Sequence, residues 1–191
     1  MKIIVIDIGN TSVDMGFFSS EKLTRTAKIS TKDNKSEFEI ANSIKSLLNI
    51  NENEIHEINI IISSVVPNKT QVVEKASKLI NNKNPIIVNH SFELPIKNKY
   101  NPPEDVGIDR LVDSVATINL YGAPSIILDI GTCLVFNAIS SNKEYLGGSI
   151  IPGLSMASDS LANSTALLRP VELRIPDNII GKNSIESIQS G

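Results

Sequence analysis

The sequence predicts an α/β protein built as two related lobes. Apolar, β-branched runs alternate with segments of helical spacing along its 191 residues, and one stretch recurs. Displaced by 122 positions, Ile4-Val5-Ile6-Asp7-Ile8-Gly9 falls on Ile126-Ile127-Leu128-Asp129-Ile130-Gly131, and Val13 falls on Val135. A separation this long exceeds any solenoid period and implies duplicated halves. The expected division is residues 1–121, a first lobe with a connecting helix, and 122–191, a second lobe.

Each element follows from local pattern. Ile3 to Ile6 is a continuous apolar run entering a turn at Asp7-Ile8-Gly9-Asn10-Thr11, which reads as a buried strand. Val13 to Phe18 and Thr24 to Ser30 extend it into a meander. Between Glu37 and Leu48 the apolar residues Phe38, Ile40, Ala41, Ile44, Leu47 and Leu48 share one helical face. Ile58 to Val66 is a strand stopped by Pro67, Val72 to Ile80 a helix, and Pro85 to Val88 a short strand. Pro95, Pro102 and Pro103 make Phe92 to Pro103 a loop, and Ile108 to Tyr121 is a helix closed by Gly122. The order then restarts with strands at Ser125–Leu128, Leu134–Ile139 and Tyr145–Ile151 and a helix from Leu154 to Ala162. Against the first lobe, the second is expected to be incomplete at its C-terminal end, short of two strands with their helices.

Composition narrows the function. The net charge is −3 without a basic block, which argues against a nucleic-acid partner. One cysteine, Cys133, and two separated histidines, His56 and His90, cannot assemble a zinc site or an internal disulfide. Cys133 is expected to pack and the histidines to be solvated. No run approaches a membrane span and no signal-peptide pattern opens the chain, so the expected compartment is the cytoplasm.

The repeated turns carry the chemistry. Glycine at a tight turn tolerates φ > 0 and lets N–H groups converge on an anion. Thr11 and Thr132 add hydroxyls, and Asp7 and Asp129 offer hard oxygens to a cation that bridges phosphates. Two such turns facing each other would grip a polyphosphate, as phosphoryl transfer requires. The same sequences also make ordinary hairpins.

Taken together, these motifs resemble the type III pantothenate kinase family of the actin, sugar kinase and Hsp70 superfamily. Asp7-Ile8-Gly9-Asn10-Thr11 looks like its first phosphate motif and Asp129-Ile130-Gly131-Thr132 like its second. Tyr100-Asn101-Pro102-Pro103 with Gly107-Ile108-Asp109-Arg110 resembles its pantothenate-binding stretch. Leu146 to Leu154 and Thr165-Ala166 match later landmarks, and Gly181-Lys182-Asn183-Ser184 resembles a substrate-contact motif that usually ends in Thr. Val135 stands where a second Thr is usual, Arg169 where a Pro is usual, and the family continues past the position of Gly191 with a Gly-rich adenosine cradle.

The resemblance implies a two-lobed actin-like (ribonuclease H-like) fold and ATP-dependent phosphorylation of the primary hydroxyl of pantothenate, the first step towards coenzyme A. It implies ATP binding by Asp7, Ile8, Gly9, Asn10, Thr11, Ser12, Val13, Asp14 and Thr132. It makes Asp109 the general base, with Tyr100, Gly107, Ile108, Asp109, Arg110 and Ser184 around pantothenate. Asp129 would hold a monovalent cation, potassium or ammonium, and Asp7 would organise Mg²⁺ through water. A homodimer with its pocket at the subunit contact is also implied. Other readings of the same residues stand beside these. Asp109 suits the first turn of a helix, Arg110 an ion pair with Asp105 or Asp113, and Tyr100 a loop aromatic. The competing functions are a non-catalytic relative that dimerises and holds ligand, and another kinase or phosphatase of the superfamily acting on a sugar or polyphosphate.

Overall fold

Alternation of apolar residues produces two sheets. The structure, a computed structural model, describes residues 1–191, the side chain of Glu54 excepted. The first sheet contains β1 (Lys2–Ile8), β2 (Ser12–Ser19), β3 (Lys22–Ser30), β4 (Ile58–Ser64) and β5 (Ile86–Ile87), in the order β3-β2-β1-β4-β5. β1 to β3 form an antiparallel meander, while β4 and β5 run parallel to β1.

Two helices, α1 (Glu37–Leu47) and α2 (Pro67–Asn81), cover one face of this sheet. Ser36 begins α1 with a capping box: its hydroxyl accepts from the Glu39 amide and the Glu39 carboxylate accepts from the Ser36 amide. At the other end Arg25 donates to the carbonyls of Leu48 and Asn49, both at 2.6 Å. Pro67, expected to stop β4, is also the first residue of α2, where its missing N–H costs nothing. Ile4, Ile6, Ile8, Val13, Met15, Phe17, Ile58, Ile60 and Ile62 then pack against Ile40, Ile44, Leu48, Val73 and Ile80 in one core.

The second sheet is ordered β6-β9-β8-β7, from β6 (Lys97–Asn98), β7 (Ser125–Ile130), β8 (Cys133–Ile139) and β9 (Glu144–Pro152). β6 lies in the stretch expected to be a loop; its two residues pair parallel with Glu144 and Tyr145. Among the described residues, β7 forms an edge, whereas β1 has β4 on its free side. α3 (Ile108–Tyr121) packs against β4, β7 and β8, and so touches both sheets. α4 (Leu154–Ser164) lies on β9, and α5 (Ser184–Ser190) ends the chain. No helix is long and apolar enough to cross a membrane among the described residues.

The repeat is real but not a uniform displacement. Pairing of Ile8 with Val13 leaves four residues in the first turn, and pairing of Ile130 with Leu134 leaves three in the second. Val13 therefore corresponds to Leu134 rather than Val135, and Thr11 to Thr132. The two lobes also treat their matching faces differently. Ile4, Ile6 and Ile8 are at most 1% exposed, while Ile126, Leu128 and Ile130 are 77%, 46% and 69% exposed.

That contrast is measurable. Ile4→Ala removes a buried side chain beneath α1 and α2 and is expected to cost about 2–5 kcal/mol in chemical denaturation. Ile126→Ala, at the matching position, is expected to change stability by no more than about 0.5 kcal/mol.

Candidate active site

Hairpin geometry brings the two repeated turns face to face. The hydroxyls of Thr11 and Thr132 lie 2.5 Å apart, although 121 positions separate them. The first turn is held by the Gly9 amide donating to the Ser12 carbonyl at 2.9 Å and by the Thr31 hydroxyl donating to the Gly9 carbonyl at 2.7 Å. The second is held by Gly131 donating to the Cys133 carbonyl and by Gly153 donating to the Thr132 carbonyl, both at 3.0 Å. Neither Gly9 nor Gly131 adopts positive φ, so the conformational reason expected for them does not apply. What they supply is room: a side chain at Gly9 would meet only the Ser12 carbonyl at 3.5 Å, and one at Gly131 nothing nearer than 3.9 Å. The space over both turns is free for a ligand.

The expected nucleotide residues divide by direction. Ile8 and Val13 point into the first core, each 1% exposed, and offer only backbone to a ligand. Asn10 and Thr11 are exposed. Asp14 is engaged within its own sheet, accepting from Ser12 at 2.6 Å and pairing with Lys28 at 3.1 Å.

Carboxylates gather at this junction. Asp7 lies opposite Asp14 and Ser63 in the strand register. Its pKa is raised, chiefly by desolvation, with the charges of Asp109, Asp14 and Asp129 adding and the Ser63 hydroxyl opposing. Asp113, one turn beyond Asp109 on α3, is pushed up to about 6 by desolvation and then by Asp7, Asp109 and Asp129. Sequence reading placed Asp113 only as a partner for Arg110; its facing groups are instead other carboxylates. Among the described residues no three His, Cys, Asp or Glu side chains stand close enough to grip an ion directly.

α3 begins with the catalytic candidate. Gly107 caps the helix, and a side chain there would sit 2.3 Å from Asp109 Oδ1, so glycine is what admits the carboxylate. That oxygen also accepts from the Arg110 amide at 2.8 Å. Ile108 is buried beside Val106, Leu111 and Tyr145.

Arg110 turns the other way, into the second sheet, and is 9% exposed. Its Nε donates to Asn137 Oδ1 at 2.7 Å, and the Tyr145 hydroxyl donates to the same oxygen at 2.9 Å. The guanidinium carbon lies 5.6 Å from the Tyr100 ring centre and 5.7 Å from that of Tyr145, within cation–π range. Burial raises the Tyr145 pKa and keeps its phenol a donor. Among the described residues Arg110 forms no ion pair with Asp105 or Asp113. β9 can approach because of its glycines: Gly147 has φ +113° under the Tyr100 ring, and a side chain at Gly148 would overlap the Phe136 carbonyl and lie 3.1 Å from Arg110 Nη2. Sequence reading found Tyr100 and Arg110 but missed Asn137 and Tyr145, which only the strand register brings together.

Ser184 is not part of this cluster. It opens α5, exposed, behind the Asn183 cap. Cys133 is half-buried, and His56 and His90 are exposed.

The chain matches the family model described as type III pantothenate kinase over residues 3–191. It belongs to that family. A type III pantothenate kinase of Finegoldia magna is 40% identical over 192 residues, spanning 99% of this chain and 72% of the relative. One from a Geobacillus species is 39% identical over 190 residues, spanning 99% and 74%. Among solved structures, a Campylobacter jejuni protein described as a conserved Baf family transcriptional activator superposes with a TM-score of 0.57. It is 18% identical and covers 98% of this chain and 72% of that one, a likeness of fold alone. This type III pantothenate kinase relative is thus a kinase with the mixed α/β, actin-like architecture its paired meanders display.

Desolvation of Asp113, reinforced by the neighbouring carboxylates, sets a pH dependence. A carboxyl whose folded pKa is raised favours the folded state only while it is protonated. That advantage disappears as pH rises from its usual 3.8 through about 6. Asp113→Asn is therefore expected to match the parent's melting temperature near pH 4 and to exceed it above pH 6, as thermal melts across that range would record.

Proposed function

We propose that this chain transfers the γ-phosphoryl group of ATP to the primary hydroxyl of pantothenate, the committed entry to coenzyme A. One observation carries the reading: the first turn of α3 sets Asp109 at the carboxylate-lined junction of the twin turns while Arg110 enters an aromatic pocket beside it. Family membership supports the acceptor.

In this reading the backbone of residues 8–13 and the hydroxyls of Thr11 and Thr132 orient the phosphates. Asp7 would hold Mg²⁺ through water, and Asp129 a potassium or ammonium ion. Cations bound there would supply charge neutralisation for the phosphates as ADP departs. Asp109 takes the proton from the pantothenate hydroxyl as its oxygen bonds to the γ-phosphorus. Tyr100 and Arg110 hold the remainder of the acceptor, the guanidinium facing its carboxylate.

We assign the working form as a cytoplasmic homodimer. Ser184 stands away from Arg110 in its own chain, and Leu167, Ile175, Ile179 and Ile180, exposed in the preceding segment, are apolar surface suited to a second copy. Ser184 would then complete the partner's acceptor pocket.

Incubation with pantothenate, ATP, Mg²⁺ and K⁺ is expected to yield ADP and phosphopantothenate in equal amounts. Asp109→Asn should lower turnover about 10²–10⁴-fold while the melting curve remains cooperative. Undiminished turnover in that variant would assign the chain to another reaction of the superfamily.

A further inference from the structure

We infer that Ser63 is a positioning residue for Asp7, its hydroxyl holding that carboxylate in place for the metal-bearing nucleotide, an inference that rests on the phosphoryl-transfer reading above. β1 and β4 run parallel with Asp7 beside Ser63, and Asp14 of β2 lies on the other side of Asp7. Residues paired in this way carry their side chains on one face of a sheet. Ile4, Ile6 and Ile8 with Ile58, Ile60 and Ile62 fill the face beneath α1 and α2. Alternation therefore puts Asp14, Asp7 and Ser63 in a row on the opposite face. α3 meets β4 there: Val65, just past the strand, stands 3.6 Å from the place a Gly107 side chain would take.

The members of this row are not equally held. Asp14 accepts from Ser12 at 2.6 Å and pairs with Lys28 at 3.1 Å. Asp7 has no ion pair among the described residues. Desolvation and the charges of Asp109, Asp14 and Asp129 favour its protonated form, and Ser63 alone favours the carboxylate. Ser63 is 9% exposed, and its Oγ is buried without a hydrogen-bond partner among the described residues. Its neighbour is different. Ser64 Oγ accepts from the Thr70 hydroxyl at 2.6 Å and from the Val66 amide at 3.1 Å, which engages it with the start of α2. Buried hydroxyls are nearly always engaged, and Ser63 has one rotatable proton with the Asp7 carboxylate beside it.

Donation from Ser63 fixes one Asp7 oxygen against β4 and leaves the other for the nucleotide side. It also keeps Asp7 ionised where burial and three like charges oppose ionisation. A methyl group in place of the hydroxyl does neither.

Ser63→Thr and Ser63→Val test this, because their side chains match in shape and differ only by the hydroxyl. Any steric cost falls on both. Ser63→Val is expected to raise the Mg²⁺·ATP KM about 10-fold, the lower worth of a hydrogen bond to a charged group. The pantothenate KM should stay within about two-fold. Ser63→Thr should remain within about three-fold of the parent for both substrates. Calorimetry with Mg²⁺·ADP should give the same Val-to-Thr ratio without turnover. In an Asp7→Asn background that ratio should fall to about one, since Ser63 then has no carboxylate to hold. Equal nucleotide affinity in Ser63→Thr and Ser63→Val would overturn the inference, as would a ratio that persists in Asp7→Asn. If both larger residues abolish the cooperative melt, Ser63→Ala against the parent makes the same comparison. A chain that binds Mg²⁺·ADP with this hydroxyl dependence but forms no phosphopantothenate would refute the pantothenate reading and leave the role of Ser63 standing.

Discussion

Burial of the Arg110 guanidinium against Asn137, Tyr100 and Tyr145 fixes where α3 begins, and the rest of the site follows from that point. A cation withdrawn from water holds its position only if its donors and its aromatic contacts are all in register. Three distant pieces of chain supply them: the proline-rich loop with Tyr100, β8 with Asn137, and β9 with Tyr145. Once Arg110 is seated, Asp109 has no choice but to project from the preceding position on the helix. It then stands on the side of α3 that shares its field with Asp7 and Asp129. The glycines at 107, 147 and 148 are the local conditions for this arrangement: those at 107 and 148 leave room for an atom that a side chain would crowd, and Gly147 takes a positive φ.

Much of the fold was legible because strand and helix periods differ. The β1 and β7 patterns predicted strands, and the apolar face of residues 37–48 predicted α1. Periodicity also predicted which residues share a face, as with Ile4, Ile6 and Ile8 and again with Ile126, Leu128 and Ile130. It could not say whether that face is covered. The two triplets are nearly identical in sequence and opposite in burial, because coverage depends on where helices from elsewhere in the chain come to rest. β6 was missed for a related reason. Two residues carry no period, and only the parallel pairing of Lys97 and Asn98 with β9 makes them a strand.

The site divides along the same line. Asp7, Asp129 and Asp109 announce themselves because turn glycines and a helix start have local signatures. Asn137 has none: an asparagine in an apolar strand reads as an ordinary position until the β8 register and the reach of Arg110 are known. Tyr145 reads only as the start of a strand, and Asp113 only as an ion-pair partner for Arg110. The single-residue difference between the two turns was invisible as well, since a displacement of 122 aligns the strand before each turn and not the strand after it. The strand pairings give the true correspondence, and the facing of Thr11 and Thr132 agrees with it.

The electrostatics on the two sides of α3 are opposite, and this has a consequence for how substrates enter. At the junction of the turns desolvation raises Asp7 and Asp113, and the charges of the neighbouring carboxylates add to it. A bare polyphosphate would add like charge there. Nucleotide can settle there only in company with cations, so in the proposed reaction the metal is a condition of binding as well as of chemistry. The opposite side, a few residues away, holds the buried Arg110 guanidinium, which would repel those same cations. In the proposed reaction one helix start would therefore sort two anionic substrates. The metal-bearing one would be drawn to the carboxylates and the bare one to Arg110, leaving the acceptor hydroxyl and the phosphoryl group to meet at Asp109 between them.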